Sequence, residues 1–214
     1  MIPVLLVDDH PIARAGLKSI LSTIPKIKII GEASNGLEAI QQAKRLNPTL
    51  IFMDIDMPGI DGLEASRRII HFNPHIKILI ISTLATGIYP ACLLEIGAVG
   101  YLSKHATAEE IFKAIRIVLA GERYISPLIA NTLAFQHIDK VAELSWDMLT
   151  LRELQVALML IKGYAVKDIM NSLYLSAKTI MGYRCSLFKK LNINNEVQLI
   201  LLAKESGLME VFVK

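Results

Sequence analysis

Three short segments decide the fold: VLLVDD at residues 4–9, LIFMD at residues 50–54 and VGYLSK at residues 99–104. Each is a continuous apolar run that ends in charged residues, and segments with helical periodicity separate them. Apolar runs of this length are typical of strands that are buried on both faces of a parallel α/β sheet. Because the carboxyl ends of such strands meet at one crevice, we expect the charged residues to converge there.

The residues that would converge are the carboxylates of Asp8, Asp9 and Asp54 and the ammonium group of Lys104. Carboxylates held this close repel one another unless a cation offsets their charge. The sequence therefore predicts a Mg²⁺ ion held by Asp54 and one or both of Asp8 and Asp9, with a backbone carbonyl after Asp54 as a further ligand. Asp54 could then attack phosphorus while Lys104 neutralises one phosphoryl oxygen and Ser82, ending the preceding strand, hydrogen-bonds another.

The chain alternates strands and helices as far as Gly121. We predict strands at about 3–8, 27–31, 49–54, 76–82 and 98–103, and helices at about 11–22, 36–46, 62–71, 88–96 and 107–120. Short links between alternating elements predict a flavodoxin-like, five-stranded, doubly wound parallel sheet. Beyond Gly121 the strand signals end.

The remainder reads as helix. We predict a helix at about 127–137, a linker at 138–147 and then helices at about 150–162, 165–173, 176–190 and 194–206. Thr150 and Glu153 form a capping-box pattern, and a tight turn before the third of these last four helices is typical of a helix-turn-helix. The predicted division is an α/β domain at 1–121, a connecting helix and linker at 122–147, and an all-α four-helix domain at 148–214.

Composition excludes several classes of protein. The apolar fraction is 53%, yet no uninterrupted apolar stretch reaches the roughly 18–20 residues that a membrane span needs. Cys92 and Cys185 lie far apart in the sequence, so we do not expect a disulfide between them. Unpaired cysteines are consistent with a protein of the reducing cytoplasm. The net charge of +3 is too small to indicate nucleic-acid binding without a local basic patch.

The α/β part resembles the receiver domain of bacterial response regulators through residues 8–10, 53–59, 82 and 100–104. The resemblance implies that a sensor histidine kinase phosphorylates Asp54. It implies that Asp9 and Asp54 are Mg²⁺ ligands, with the backbone carbonyl of Asp56 as a third and Asp8 assisting. It also implies that Ser82 and Tyr101 form the switch pair, in which the phosphoryl group draws Ser82 inward and Tyr101 follows.

The helical part resembles the LuxR/FixJ-type DNA-binding domain through residues 149–156 and 173–180. The whole chain therefore resembles the NarL/FixJ response regulators, and residues 8–10, 121–127 and 175–179 resemble the global activator (GacA/UvrY) type. The resemblance implies control of transcription through double-stranded DNA, with a homodimer favoured on activation. The residues expected at the DNA are Ser176, Lys178, Thr179, Met181, Arg184, Lys189 and Lys190.

The presumed recognition helix departs from the family pattern. Met181, Gly182 and Cys185 stand where family members usually carry polar or basic residues. Because polar side chains read base edges, we expect reduced direct readout. The helix still carries four cations and no acidic residue between 178 and 190, which could contact several phosphates.

Each motif also has a simpler structural interpretation. Asp9 or His10 could be only an N-cap, residues 54–56 an acidic turn and Lys104 a surface lysine. Tyr101 could be a half-buried strand tyrosine, and the cations of the recognition helix could be a solvated face. The joint placement on strands 1, 3, 4 and 5 favours function over coincidence.

Three functions fit these patterns. The first is a transcription factor that phosphorylation switches. The second is a phosphorylated receiver whose degenerate helix-turn-helix acts mainly through protein–protein interaction. The third is a phosphatase, because residues 54–56 also fit the DxD nucleophile of haloacid-dehalogenase-type enzymes; that motif would lie on strand 3 and leave Asp8 and Asp9 unexplained, so we expect no enzyme.

Overall fold

The computed structural model describes residues 1–83, 93–131, 146–206 and 208. They form two compact units, one containing residues 1–83 and 93–131 and the other the residues from 146 onward. None of the helices in these ranges has both the length and the apolar character that a bilayer span requires.

The first unit is built on a parallel sheet of six strands. The strands are β1 (Ile2–Val7), β2 (Ile27–Ala33), β3 (Leu50–Met53), β4 (Lys77–Ser82), β5 (Gly100–Ser103) and β6 (Tyr124–Ile125). Their order is β2-β1-β3-β4-β5-β6, and every neighbouring pair is parallel. The predicted doubly wound α/β fold is confirmed, since the first five strands have the flavodoxin order.

The sixth strand corrects the prediction that strands end before Gly121. It contains only two residues, with Tyr124 beside Gly100 and Ile125 beside Tyr101. So short a segment has no apolar run or alternation that a sequence pattern could reveal. Backbone N–H groups of Tyr124 and Ser126 bond to the carbonyls of Val99 and Tyr101 at 3.0 and 2.9 Å, which adds this edge to the sheet.

Within the described residues, four complete helices accompany the sheet: α1 (Pro11–Ser22), α2 (Gly36–Leu46), α3 (Gly62–Phe72) and α4 (Ala108–Leu119). The side chains of Asn35, Asp61 and Thr107 each accept a hydrogen bond from a backbone N–H three residues on, so α2, α3 and α4 begin where they do. Of the helix predicted at 88–96, residues 93–95 are helical and 88–92 lie outside the described residues.

The sheet is buried on both faces, as its continuous apolar strands predict. Every residue of Leu50–Met53 is fully buried, and Val4–Val7 are at most 1% exposed. One core cluster combines strand residues with helix residues from α1 and α4, including Leu6, Phe52, Leu79, Leu102, Leu17, Leu21, Ile111 and Ile115. This packing holds the carboxyl ends of the strands in fixed positions.

In the described part of the second unit, a short 3₁₀ turn at Trp146–Met148 precedes four helices: α5 (Leu151–Ile161), α6 (Val166–Leu173), α7 (Ala177–Lys190) and α8 (Glu196–Glu205). Gly163 after α5 and Tyr174 after α6 have positive φ angles of 78° and 55°, which end those helices in left-handed turns. The turn at Tyr174 leads directly into α7. Residues 127–131 are helical, whereas the rest of the predicted 127–137 helix and most of the linker lie outside the described residues.

Candidate functional site

Two buried carboxylates lie side by side at the carboxyl edge of the sheet. Asp8 directly follows β1 and Asp54 directly follows β3, and they are 5% and 2% exposed. The backbone N–H of Asp54 donates to the carbonyl of Val7 at 2.9 Å, so the pairing of β1 with β3 extends to the site. Adjacent positions in the sheet therefore force the two side chains together.

Lys104 lies between these carboxylates. Its Nζ is 2.8 Å from Asp54 Oδ2 and 2.8 Å from Asp8 Oδ2. Its backbone N–H donates to the carbonyl of Ser82 at 2.9 Å, which fixes the end of β5 beside the end of β4. One ammonium group therefore offsets two buried negative charges.

Asp9 and His10 complete an oxygen-rich cluster. Ligand atoms of Asp8, Asp9, His10 and Asp54 all lie within 4.8 Å of one another. Asp9 Oδ1 is buried and accepts no hydrogen bond from the described residues, although His10 Nδ1 lies 2.7 Å away without the geometry of such a bond. A buried carboxylate oxygen among other carboxylates fits a hard divalent cation such as Mg²⁺.

His10 is a member of this cluster that the sequence reasoning did not assign. It is the N-cap residue of α1, yet its side chain makes no capping bond in the part of the chain that the structure describes. Instead its backbone N–H donates to Asp8 Oδ1 at 2.8 Å. The signal in the sequence was its position directly after the aspartate pair.

Burial and the contact between Asp54 and Lys104 have opposite effects on the pKa of each group. Burial raises the pKa of Asp54 to about 6, and the hydrogen bond and charge of Lys104 act against that rise. Burial alone would lower the pKa of Lys104, but its bonds to Asp54 and Asp8 outweigh burial and raise that pKa above its ordinary value. Lys104 therefore stays charged while Asp54 remains a poorly solvated carboxyl group.

Ser82 and Tyr101 are both fully buried beside this site. Burial raises the pKa of Tyr101 above its ordinary value, while a hydrogen bond with the Ser82 side chain acts against that rise and the charge of Asp54 adds to it. Tyr101 is fully buried, so the alternative interpretation of a half-buried strand tyrosine is wrong on this point. The structure brings this predicted pair into direct contact.

The loop after Asp54 depends on a glycine that the sequence reasoning missed. A Cβ at Gly62 would collide with the backbone carbonyl of Asp54. The N–H of Gly62 donates to the carbonyl of Ile55 at 2.9 Å, which folds the loop back toward β3. Asp56 lies in this loop with an exposed side chain outside the carboxylate cluster, so its predicted contribution is limited to the backbone carbonyl.

The residues predicted at the DNA lie along α7. Ser176 is the N-cap, and its Oγ accepts a hydrogen bond from the Thr179 N–H at 3.2 Å. Lys178, Thr179 and Lys189 are exposed, and Met181 is 42% exposed. These side chains are accessible to a partner.

Two of the four predicted cations are engaged with acids elsewhere in the unit. Arg184 Nη2 lies 3.3 Å from Glu196 Oε1, and its guanidinium group lies over the Phe188 ring at 5.3 Å. Lys190 Nζ lies 2.7 Å from Oε2 of Glu153, whose side chain is 6% exposed. Counting charges along the helix did not reveal these partners, because both acids lie outside it.

Comparison with known proteins gives two family matches. Residues 4–116 match the response regulator receiver domain, and residues 147–203 match the bacterial regulatory proteins of the luxR family. The chain belongs to the LuxR-family two-component response regulators. The resemblance drawn from the sequence motifs is therefore confirmed, and this family regulates transcription and is not generally enzymatic.

This response regulator is similar over nearly its full length to proteins of the GacA/UvrY type. It is 41% identical to the response regulator GacA of Pseudomonas protegens, over 98% of this chain and 99% of that protein. It is 43% identical to the response regulator UvrY of Escherichia coli, over 97% of this chain and 96% of that protein.

Solved structures share the fold. A LuxR-family two-component response regulator from Aurantimonas is 33% identical, with a TM-score of 0.61, over 64% of this chain and 98% of that chain. RcsB from Salmonella enterica, bound to promoter rprA in the presence of the phosphomimetic BeF3⁻, is 23% identical. The match covers 95% of this chain and 99% of that chain, with a TM-score of 0.73.

Proposed function

We propose that this response regulator is phosphorylated on Asp54 by a sensor histidine kinase and controls transcription by binding double-stranded DNA through α7. The observation that carries the proposal is the contact of one partly buried ammonium group, that of Lys104, with both Asp54 and Asp8 at 2.8 Å. A carboxylate that is buried, fixed by the sheet and faced by a cation is suited to receive a phosphoryl group.

In the transfer step, a carboxylate oxygen of Asp54 forms a bond to phosphorus while the bond from phosphorus to the kinase histidine nitrogen breaks. The leaving nitrogen keeps the electron pair. The Ile55 N–H donates to Asp54 Oδ1 at 2.8 Å and thereby orients the carboxylate. Before phosphorylation the Lys104 ammonium group contacts both Asp8 and Asp54. After phosphorylation it would donate a hydrogen bond to a phosphoryl oxygen.

Asp9 and Asp54, with the backbone carbonyl of Asp56 and with Asp8 assisting, would hold Mg²⁺. When bound, the ion supplies positive charge that offsets the carboxylates and the incoming phosphoryl group. The oxygen-rich cluster and the buried oxygen of Asp9 within it support this assignment.

Ser82 and Tyr101 would report the phosphorylation. A dianionic group on Asp54 attracts the Ser82 hydroxyl, and this changes the position that Tyr101 occupies on β5. The burial of both residues and the bond between their side chains support this role, because neither can move without affecting the other.

The receiver domain would extend over residues 1–121, the connecting helix and linker over 122–147 and the DNA-binding domain over 148–214. Phosphorylation would favour a homodimer by shifting an existing equilibrium. The protein would act in the cytoplasm, where a kinase and chromosomal DNA are both accessible to it.

On DNA, the exposed side chains of Ser176, Lys178, Thr179 and Lys189 would contact the phosphate backbone, and Met181 would lie against thymine methyl groups. Such contacts give affinity that depends on salt and discriminates weakly between sequences. The predicted contacts of Arg184 and Lys190 compete with the ion pairs that these residues make within the unit.

A second candidate function rests on the centre of the same helix. Met181, Gly182 and Cys185 are exposed there and offer no charge or amide group for base recognition. This surface favours a phosphorylated receiver whose degenerate helix-turn-helix acts mainly through contacts with another protein.

Selection from random duplex DNA, with and without beryllofluoride and Mg²⁺, distinguishes the two functions. An enriched motif that requires the phosphoryl mimic, and that the Asp54→Ala variant fails to enrich, supports transcription control by DNA binding. Binding of the mimic with no enriched motif refutes sequence-specific recognition and favours the protein-interaction function.

A further inference from the structure

A buried carboxylate lies at the start of α5. Glu153 is 4% exposed, and its Oε2 accepts hydrogen bonds from the Thr150 N–H at 2.7 Å and the Thr150 hydroxyl at 2.9 Å. These bonds complete the capping box that begins the helix. They leave Oε1, and much of the negative charge, to be satisfied by another element.

The remaining partners come from α7. The Ser186 hydroxyl donates to Glu153 Oε1 at 2.6 Å, and Lys190 Nζ donates to Oε2 at 2.7 Å. Residues four apart share one side of a helix, so Ser186 and Lys190 face α5 together. On a helical projection this side lies about a quarter-turn from the exposed stripe that carries Lys178 and Lys189.

We propose that Glu153, Ser186 and Lys190 form a clamp that fixes the carboxyl-terminal half of α7 against α5, and that Lys190 is a positioning residue and not a phosphate contact. The inference rests on the proposed DNA-binding function. If Lys190 turned toward a phosphate, the Glu153 carboxylate would remain buried without its cation, which is strongly unfavourable.

Lys189 is the matched comparison. It is the same residue type at the next position, it is exposed, and no ion pair engages it among the described residues. Each lysine that contacts a phosphate contributes about 0.9 to the slope of log affinity against log salt. A lysine that only positions the helix contributes to affinity without contributing to that slope.

The test uses the full-length chain with beryllofluoride and Mg²⁺ and a random-sequence duplex, with binding measured across a salt series. The clamp predicts that Lys190→Met weakens binding about tenfold or more at every salt concentration and leaves the slope unchanged, whereas Lys189→Met reduces the slope by about 0.9. A reduced slope for Lys190→Met, equal to that for Lys189→Met, would overturn the proposal.

Substituting Glu153 should change DNA affinity in opposite directions, depending on whether Lys190 positions α7 or contacts a phosphate. The clamp predicts that Glu153→Gln weakens binding, because α7 loses its anchor, and that adding Lys190→Met to Glu153→Gln costs far less affinity than Lys190→Met does alone. A phosphate-contacting Lys190 predicts stronger binding by Glu153→Gln, since the released ammonium group would reach the DNA. Glu153→Gln also decides the question if Lys190→Met does not fold.

Amide hydrogen exchange without DNA separates failure of the clamp from failure of the proposed function. Exchange across residues 183–190 should be faster in Lys190→Met than in the wild type and unchanged in Lys189→Met. Equal exchange in both variants would contradict the clamp. A wild-type protein that binds no duplex even with beryllofluoride and Mg²⁺ present would refute the DNA-binding function, and the exchange result would still decide whether the clamp exists.

Discussion

Protonation of Glu153 should destabilise the helical unit in acid. Burial favours the neutral carboxyl group, yet hydrogen bonds from Lys190, Ser186 and Thr150 more than compensate and hold its pKa at about 2, below the ordinary value of 4.5. A carboxyl group whose pKa is lower in the folded state stabilises that state above pH 4.5, and this contribution is lost as the pH falls through the folded pKa.

The size of the effect follows from the two pKa values. The free energy of unfolding should lose about 3 kcal/mol from this group as the pH falls from above 4.5 to about 2. Because the Lys190 side chain is 31% exposed, solvent screening makes that figure an upper limit. The Glu153→Gln variant cannot undergo this titration.

Trp146 provides a probe for this unit alone. It is the single tryptophan of the chain, it is 5% exposed, and its indole N–H donates to the Ser206 hydroxyl at 3.1 Å. Urea unfolding, followed by Trp146 fluorescence, should give a higher free energy of unfolding for wild type than for Glu153→Gln at pH 7. This difference should shrink below pH 4.5. A Glu205→Gln control, which alters an exposed carboxylate, should behave as wild type. Parallel pH profiles for wild type and Glu153→Gln would show that Glu153 does not stabilise the folded helical unit through its charge.

Three further substitutions have defined outcomes. Gly182→Ala should raise the free energy of unfolding of the helical unit by about 0.5–1 kcal/mol, because the added Cβ contacts nothing and the helix gains propensity; a loss of stability in the same urea assay would contradict this. Lys178→Ala should weaken binding to every duplex and lower the salt slope by about 0.9, and an unchanged slope would show that Lys178 does not contact phosphate. Gly62→Ala should destabilise the receiver unit by about 1–3 kcal/mol in thermal denaturation, since the backbone of Asp54 must move; wild-type stability would show that the loop adapts freely.

Much of the fold was predictable because its strands are continuous apolar runs. Residues 4–7 and 50–53 are buried on both faces, and such runs between periodic helices have few other interpretations. The helix starts predicted at about 11, 36 and 107 lie within a residue of the observed starts of α1, α2 and α4. The short strand β6 escaped prediction because its place depends on the edge that β5 offers, and its own two residues carry no pattern.

The contacts among residues at the strand ends could be predicted from the sequence. The contacts that result from packing between distant helices could not. Asp8, Asp54 and Lys104 each directly follow a strand, so a parallel sheet places them at one edge, where the structure shows them in contact. The pairing of Lys190 with Glu153 joins residues 37 positions apart in different helices. Helix packing determines that distance, and a local count of charges contains no information on it.

Intact-mass measurement after incubation with a small-molecule phosphodonor and Mg²⁺ tests whether Asp54 receives a phosphoryl group. Wild type should gain one phosphoryl group, and chelation of the metal should prevent the gain. Asp56→Asn should still be phosphorylated, because that substitution leaves the backbone carbonyl in place, whereas Asp54→Asn should gain nothing. Phosphorylation of Asp54→Asn on another carboxylate, or an unmodified wild type with Mg²⁺ present, would contradict the assignment of Asp54 as the phosphoacceptor.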